Sequence, residues 1–177
     1  MPPVILVVGP SGVGKSHVSG CLERAWRFLY WRIYNFEENG LPSTWDGHGE
    51  LVDMSMLIAA AHTRRAEAVA AGIVISITPE DVLERRQLFE ALTLGATPVV
   101  LWGTPCQCVL ARAERSRINR KRFNEKDMTR YWRKNNAAFE AYGSAQYSDF
   151  REEAFRPDGS RWPNEHWLER MSERLAG

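Results

Sequence analysis

One run of this chain, Gly9-Pro10-Ser11-Gly12-Val13-Gly14-Lys15-Ser16, has residue types and a spacing that dictate a chemistry. Its glycines permit backbone conformations and close approaches that a side chain would block. Successive main-chain amides can then turn toward one point as an anion-binding nest, at the positive end of the helix that follows. In such a loop the lysine reaches the β- and γ-phosphates of a nucleoside triphosphate, and the hydroxyl after it ligates Mg²⁺. The expected ligands are ATP and Mg²⁺. Gly9, Ser11, Gly12, Val13, Gly14, Lys15, Ser16 and the adjacent His17 are the expected nucleotide-binding residues, with Ser16 on the metal. A glycine-rich turn without a ligand would leave the Lys-Ser pair unexplained. The loop specifies the phosphoryl donor and is silent on the acceptor.

The elements around the loop must place it between a buried strand and a helix. Val4 to Val8 is an all-apolar run, as a strand buried on both faces requires. Helical residues follow from about Lys15 to Arg24, and Phe28 to Tyr34 reads as a second strand. Asn35 to Gly49 has no clean period and reads as a loop. A helix over Asp53–Ala71 stops at Gly72, and Ile73–Ile77 forms a third strand. Thr78-Pro79-Glu80-Asp81 opens a helix that runs to Leu94, Pro98–Trp102 forms a fourth strand, and Thr104-Pro105 opens the next helix in the same way. A helix from about Asn124 to Tyr142, a short strand near Tyr147 to Phe150 and a helix over Pro163–Leu175 complete the chain. Alternation of strand and helix predicts βαβ units. The expected architecture is a three-layer α/β P-loop NTPase fold: a five-stranded parallel sheet, Val4–Val8 central, helices on both faces, one domain over residues 1–177.

The loop spelling is similar to that of guanylate kinases and other small P-loop kinases. The middle of the chain resembles the adenylylsulfate kinase group. Arg64-Arg65 followed by Ala70-Ala71-Gly72-Ile73-Val74-Ile75-Ser76-Ile77-Thr78-Pro79 is similar to that group's helix, third strand and Ser-x-x-Pro turn. Thr104-Pro105, Cys108 and Arg112 resemble its Thr-Pro…Cys…Arg stretch. The likeness covers residues 1 to 115. Asn35-Phe36-Glu37-Glu38-Asn39 stands where the group carries Asp-Gly-Asp-Asn, and its Lys-Gly-Leu-Tyr-Lys-Lys run is missing. The resemblance therefore implies a small kinase with a mobile lid and an acceptor pocket beyond strands two and three, without adenylylsulfate as its specified substrate.

Charge is unevenly spread. Between Arg112 and Lys134 ten cationic residues face three acidic ones, in a chain whose net charge is +1. A solvated helix surface and contact with a nucleic-acid backbone are two readings of such a run. The third is a lid over about residues 112–126, where small P-loop kinases carry theirs, with arginines stabilising charge on the transferring phosphoryl group. Arg117, Arg120 and Arg122 are the candidates for that role, unranked. By resemblance Arg112 stacks on the nucleotide base.

A kinase acting on a hydroxyl needs a carboxylate to orient the nucleophile and accept its proton. The third strand ends in Ser76-Ile77-Thr78 without an acid. Glu37, Glu38, Asp46 and Asp53 are the candidates, with Glu37, nearest the carboxyl end of strand two, the first choice and Asp53 read rather as a helix cap; a surface carboxylate is the plain alternative. Trp45, in a polar loop, offers a face on which a planar acceptor could stack. Glu37, Trp45, Asp46 and Arg65 form the expected acceptor side.

The three cysteines are odd in number and irregular in spacing, which argues against a disulfide framework. The four histidines show no metal-ligand spacing. The apolar start of the chain lacks a basic leader and is far short of the roughly 20 residues that span a bilayer, so a cytoplasmic protein without a membrane partner is expected. The leading functional reading is ATP-dependent transfer of the γ-phosphate to a nucleotide-like acceptor: a nucleoside, a nucleotide, or a hydroxyl of DNA or RNA. The alternative is a regulatory NTPase or nucleotide-binding module with no acceptor.

Overall fold

A computed structural model describes residues 4–26, 31–35, 72–77 and 95–177. Among them β1 (Val4–Val8) leads through the glycine-rich loop into α1 (Lys15–Trp26). Then come β2 (Trp31–Asn35), β3 (Gly72–Ile77) and β4 (Ala96–Trp102). Helices α2 (Pro105–Ile118) and α3 (Glu125–Tyr142), strand β5 (Arg151–Glu153) and helix α4 (Asn164–Ala176) follow. The strands form one sheet in the order β2-β3-β1-β4-β5, and every pairing is parallel. The α/β architecture with a parallel sheet agrees with the sequence expectation. The helices expected over Asp53–Ala71 and from Thr78-Pro79 lie outside the described residues.

β1 sits in the middle because its sequence allows nothing else: all five of its side chains are buried. Each such aliphatic side chain contributes roughly 1.5–3 kcal/mol on burial. Ile5 and Val7 join Val99 and Leu101 of β4, Val18 and Leu22 of α1 and Trp167 and Met171 of α4 in one core, which also takes in Val13 from the glycine-rich loop. The loop is thus anchored into the core at its centre.

The Thr104-Pro105 start is a full capping box. Thr104 Oγ1 accepts from the Gln107 amide at 3.2 Å while Gln107 Oε1 accepts from the Thr104 amide at 3.0 Å. Asn124 and Asp127 make the same reciprocal pair at the start of α3. The expected strand over Tyr147–Phe150 is corrected: Ala145–Phe150 is a 3₁₀ helix, and the strand is Arg151–Glu153. Tyr147 is buried edge-on against Tyr142, a packing set by the end of α3, and this overrides the β propensity of the segment.

β5 is short, and a buried carboxylate fixes α4 to it. Glu152 accepts from Arg170 Nε at 3.0 Å and from Arg174 Nε at 2.6 Å. Arg174 also donates to the main-chain oxygens of Asp149 and Arg151 at 2.6 and 3.0 Å. A paired, hydrogen-bonded carboxylate tolerates burial, whereas an orphaned one would not.

Helix α2 ends unusually. The amide of Lys121 donates to Ser116 O at 2.8 Å and that of Arg120 to Arg117 O at 3.1 Å, a Schellman arrangement. Its left-handed position is held by Arg120, at φ 53°, rather than by glycine. Arg120→Gly is expected to stabilise the fold by about 1 kcal/mol. Thermal unfolding should register this as a rise of about 2–4 °C; an unchanged or lower midpoint would mean that the arginine side chain compensates the backbone cost.

Candidate functional site

The glycine-rich loop follows β1 and delivers Lys15 as the first residue of α1. Val13 donates to Pro10 O at 3.3 Å within the loop, and Val18 donates to Gly14 O at 3.0 Å as the helix begins. Gly12 and Gly14 hold φ of +88° and +113°, which side-chain-bearing residues rarely adopt. A Cβ on Gly12 would strike the carbonyl oxygen of Cys108 in α2, and one on Gly14 would strike a guanidinium nitrogen of Arg161. Glycine is therefore required by space as well as by conformation.

A loop that turns amides toward an anion must turn carbonyls away from it, and buried carbonyls need donors. All six from Gly9 to Gly14 have one. Lys15 Nζ donates to Gly9 O at 2.8 Å and to Pro10 O at 3.2 Å. Asn135 Nδ2, from the buried interior of α3, donates to Ser11 O at 3.0 Å. Arg161, in the segment between β5 and α4, donates to Gly12 O at 2.9 Å and to Val13 O at 2.7 Å. Gly14 O is taken by the helix itself. The donors come from every described layer around the loop.

Beside the loop lies a cavity of about 430 Å³, walled by Ser11, Gly14, Lys15 and Ser16, by Arg112, Arg115 and Ile118 of α2, and by Arg161. Lys15 is 5% exposed, while the side chain of Ser16 is open. His17 is held below the ordinary imidazole value of 6.5, first by burial and then by the charges of Arg161 and Arg24, so it is neutral near pH 7. Burial pushes the Cys108 thiol beneath the loop up to about 12 and keeps it un-ionised. The donor set is cationic and amide-rich, with glycines that let Cys108 O and the Arg161 guanidinium pack directly against the loop. It fits a polyphosphate. At the loop's end the Ser16 hydroxyl suits a Mg²⁺ held mostly by phosphate oxygens and water.

No family model and no curated protein matches the chain. Solved structures do. The tunicamycin resistance protein of Deinococcus radiodurans aligns over 99% of this chain and 96% of its own, with TM-score 0.62 and 16% identity. A gluconokinase from Sinorhizobium meliloti aligns over 99% and 96%, with TM-score 0.56 and 19% identity. Shikimate kinase from Acinetobacter baumannii aligns over 99% and 94%, with TM-score 0.57 and 14% identity. The chain shares their fold.

The structure brings only part of the expected site together. Gly9 to His17 are in place around the loop. Arg112 joins them: it donates to Ser11 Oγ at 2.8 Å and to the Tyr131 hydroxyl at 2.6 Å, with its guanidinium 4.0 Å above the Tyr131 ring. One face of that guanidinium is thus covered by Tyr131. Arg117 is 74% exposed and forks onto Glu114 at 2.6 and 2.7 Å along the outside of α2. Arg117, Arg120 and Arg122 do not line the cavity. The helix continues past Arg112 to Ile118, which carries them to its far end. Glu37, Trp45, Asp46 and Arg65 lie outside the described residues.

Sequence reasoning missed Arg161 and Asn135. Asn135 leaves a faint trace, a poor helix former in mid-helix. Arg161 leaves none, since 148 positions separate it from Val13. Lys15→Ala is expected to weaken binding of inorganic pyrophosphate at least about tenfold by calorimetry, because a charge-assisted contact is lost. The thermal midpoint should fall as well, because Gly9 O and Pro10 O lose their lysine donor. Unchanged pyrophosphate affinity in the folded variant would take Lys15 out of the anion site.

Proposed function

We propose that this protein is an ATP-dependent phosphotransferase that moves the γ-phosphate onto a hydroxyl of a small acceptor. The observation that carries the reading is the loop whose six consecutive carbonyls are all bonded away, beside a cavity edged by Lys15, Arg112 and Arg161. Such an arrangement suits a phosphate group. The fold shared with a solved gluconokinase and a solved shikimate kinase adds support.

In the reaction, the acceptor oxygen forms a bond to the γ-phosphorus as the bond to the β,γ-bridging oxygen breaks. The products are ADP and a phosphate ester, and the hydroxyl proton passes to a base. The loop amides and Lys15 hold the β-phosphate and neutralise charge accumulating on the bridging oxygen. Ser16 would hold a Mg²⁺ ion, which when bound would neutralise charge on the phosphate oxygens. Arg112, tied to Ser11 and Tyr131, borders the space for the base. Arg117, Arg120 and Arg122 act from the α2–α3 connection when that segment closes on the phosphates. Glu37 is the proposed base, with Trp45, Asp46 and Arg65 on the acceptor side. The acceptor is proposed to carry a nucleobase that stacks on Trp45.

A γ-³²P transfer screen over nucleosides, nucleotides, hydroxy acids and oligonucleotides tests the reading. A phosphorylated nucleoside or nucleotide is the expected product. Transfer to a hydroxy acid alone would keep the kinase and discard the nucleobase, and ATP hydrolysis unaffected by any acceptor would leave a regulatory NTPase. An oligonucleotide acceptor should show binding that falls steeply with salt, through the basic α2–α3 region.

Neutralising Arg117, Arg120 and Arg122 together should lower kcat about tenfold or more, with ATP affinity changed far less. If only the melting temperature moves, those arginines are a solvated surface.

A further inference from the structure

The loop before α4 carries a cation to which the phosphotransferase reading assigns no part in the reaction. Residues 155–161 form a tight reversal: Arg156 donates to Ser160 O at 2.7 Å, Gly159 to Arg156 O at 2.9 Å, and Phe155 and Arg161 face each other in an antiparallel bridge. Asp158 accepts from the Ser160 amide at 2.8 Å and hydroxyl at 2.6 Å, closing the turn. Arg161 leaves this turn with its guanidinium 4.9 Å from the buried Phe155 ring, and α4 beyond it is bolted to β5 through Glu152. The side chain is thus aimed by rigid structure. It forks onto two consecutive carbonyls of the glycine-rich loop, Nη2 to Gly12 O and Nη1 to Val13 O.

Two consequences follow from elementary geometry. A trans peptide is planar, with its carbonyl and amide pointing in opposite directions, and no cis bond occurs among the described residues. Drawing Val13 O onto Arg161 therefore turns the Gly14 amide away from Arg161. A guanidinium fork fits two adjacent oxygens, while an ammonium presents a single point of charge. The second consequence is electrostatic. Among the described residues, the donors of Arg161 are bonded to main-chain oxygens and not to a carboxylate. Burial lowers its proton affinity. A half-buried cation that has no carboxylate partner among the described residues, at the wall of the cavity, would be complemented by an anion bound there.

We propose that Arg161 is the positioning residue of the phosphate site: by holding the Val13 carbonyl it presets the Gly14 amide for the β-phosphate, by holding the Gly12 carbonyl it fixes the turn in which the Val13 amide bonds Pro10 O, and it adds its charge to the site. The inference rests on the reading of the loop as a polyphosphate site.

The test compares wild type, Arg161→Met and Arg161→Lys in calorimetric titrations with ADP, inorganic pyrophosphate and adenosine, with thermal unfolding as a fold control. Arg161→Met should lose about tenfold in affinity for ADP and pyrophosphate, as removal of a charged double hydrogen bond predicts, with adenosine unchanged. Arg161→Lys should remain several-fold weak despite its charge, since the fork is gone. In a ¹⁵N spectrum, the shift of the Gly14 amide on adding ADP should shrink in both variants. ADP affinity within about twofold of wild type in either folded variant would overturn the proposal. So would equal losses for ADP and adenosine, which would make Arg161 a base contact. Should Arg161→Met fail to fold, Arg161→Lys alone decides by the same ratio. Wild-type protein that bound neither ADP nor pyrophosphate would remove the polyphosphate reading itself, and this proposal with it.

Discussion

A peptide unit cannot show its amide to a ligand without showing its carbonyl somewhere else, and in a buried loop that somewhere must contain a donor. From Gly9 to Gly14 six carbonyls in succession find a donor; the Gly9–Pro10 unit has no amide and the Val13 amide turns back to Pro10 O, which leaves the amides of the other four units for a ligand. The loop's own lysine serves the first two carbonyls, α3 the third, and the turn before α4 the fourth and fifth. The first turn of α1 serves the last. Much of the remaining architecture can be understood as the means of bringing these donors within 3.3 Å of a loop that is otherwise all glycine, proline and small side chains.

Each donor has its own support. Asn135 reaches Ser11 because α3 packs on α2, where the Tyr131 ring receives Arg112 and stacks with Phe123 at 5.9 Å between ring centroids. Arg161 reaches Gly12 and Val13 because α4 lies against α1 with Trp167 and Met171 in the core. The Glu152 cluster keeps the end of β5 and the body of α4 in register, at the cost of burying a carboxylate that only two arginines make tolerable. The site is preorganised at the level of the backbone, before any ligand side chain is considered.

Local signals were readable where the physics is local. Five consecutive aliphatic residues before Gly9 can only be an inner strand, Thr104-Pro105-Cys106-Gln107 encodes its own capping box, and Lys15-Ser16 marks the phosphate end of the loop. The segment over Tyr147–Phe150 misleads because the aromatic residues that suggest a strand are instead held by Tyr142, which a pattern of period two does not register. Arg161 and Asn135 are invisible for a stronger reason. Their partners are main-chain oxygens, which carry no residue type to be matched, and lie more than 120 positions away along the chain. Arg112 was a candidate by resemblance and the structure places it at the cavity, but its contact with Tyr131 depends on how α2 meets α3.

The fork of Arg161 onto Gly12 and Val13 also has a meaning in time. Contacts of large sequence separation close late, because their loop-closure entropy must be met before they add stability. During synthesis from the N-terminus, β1, the glycine-rich loop and α1 emerge first, and the guanidinium emerges nearly 150 residues afterwards. Until then the two carbonyls can be served by water, and the loop is free to sample orientations in which its amides do not converge. The final arrangement of these two carbonyls therefore waits on a residue translated long after them. A ribosome-bound intermediate that already holds the central strands would still lack it.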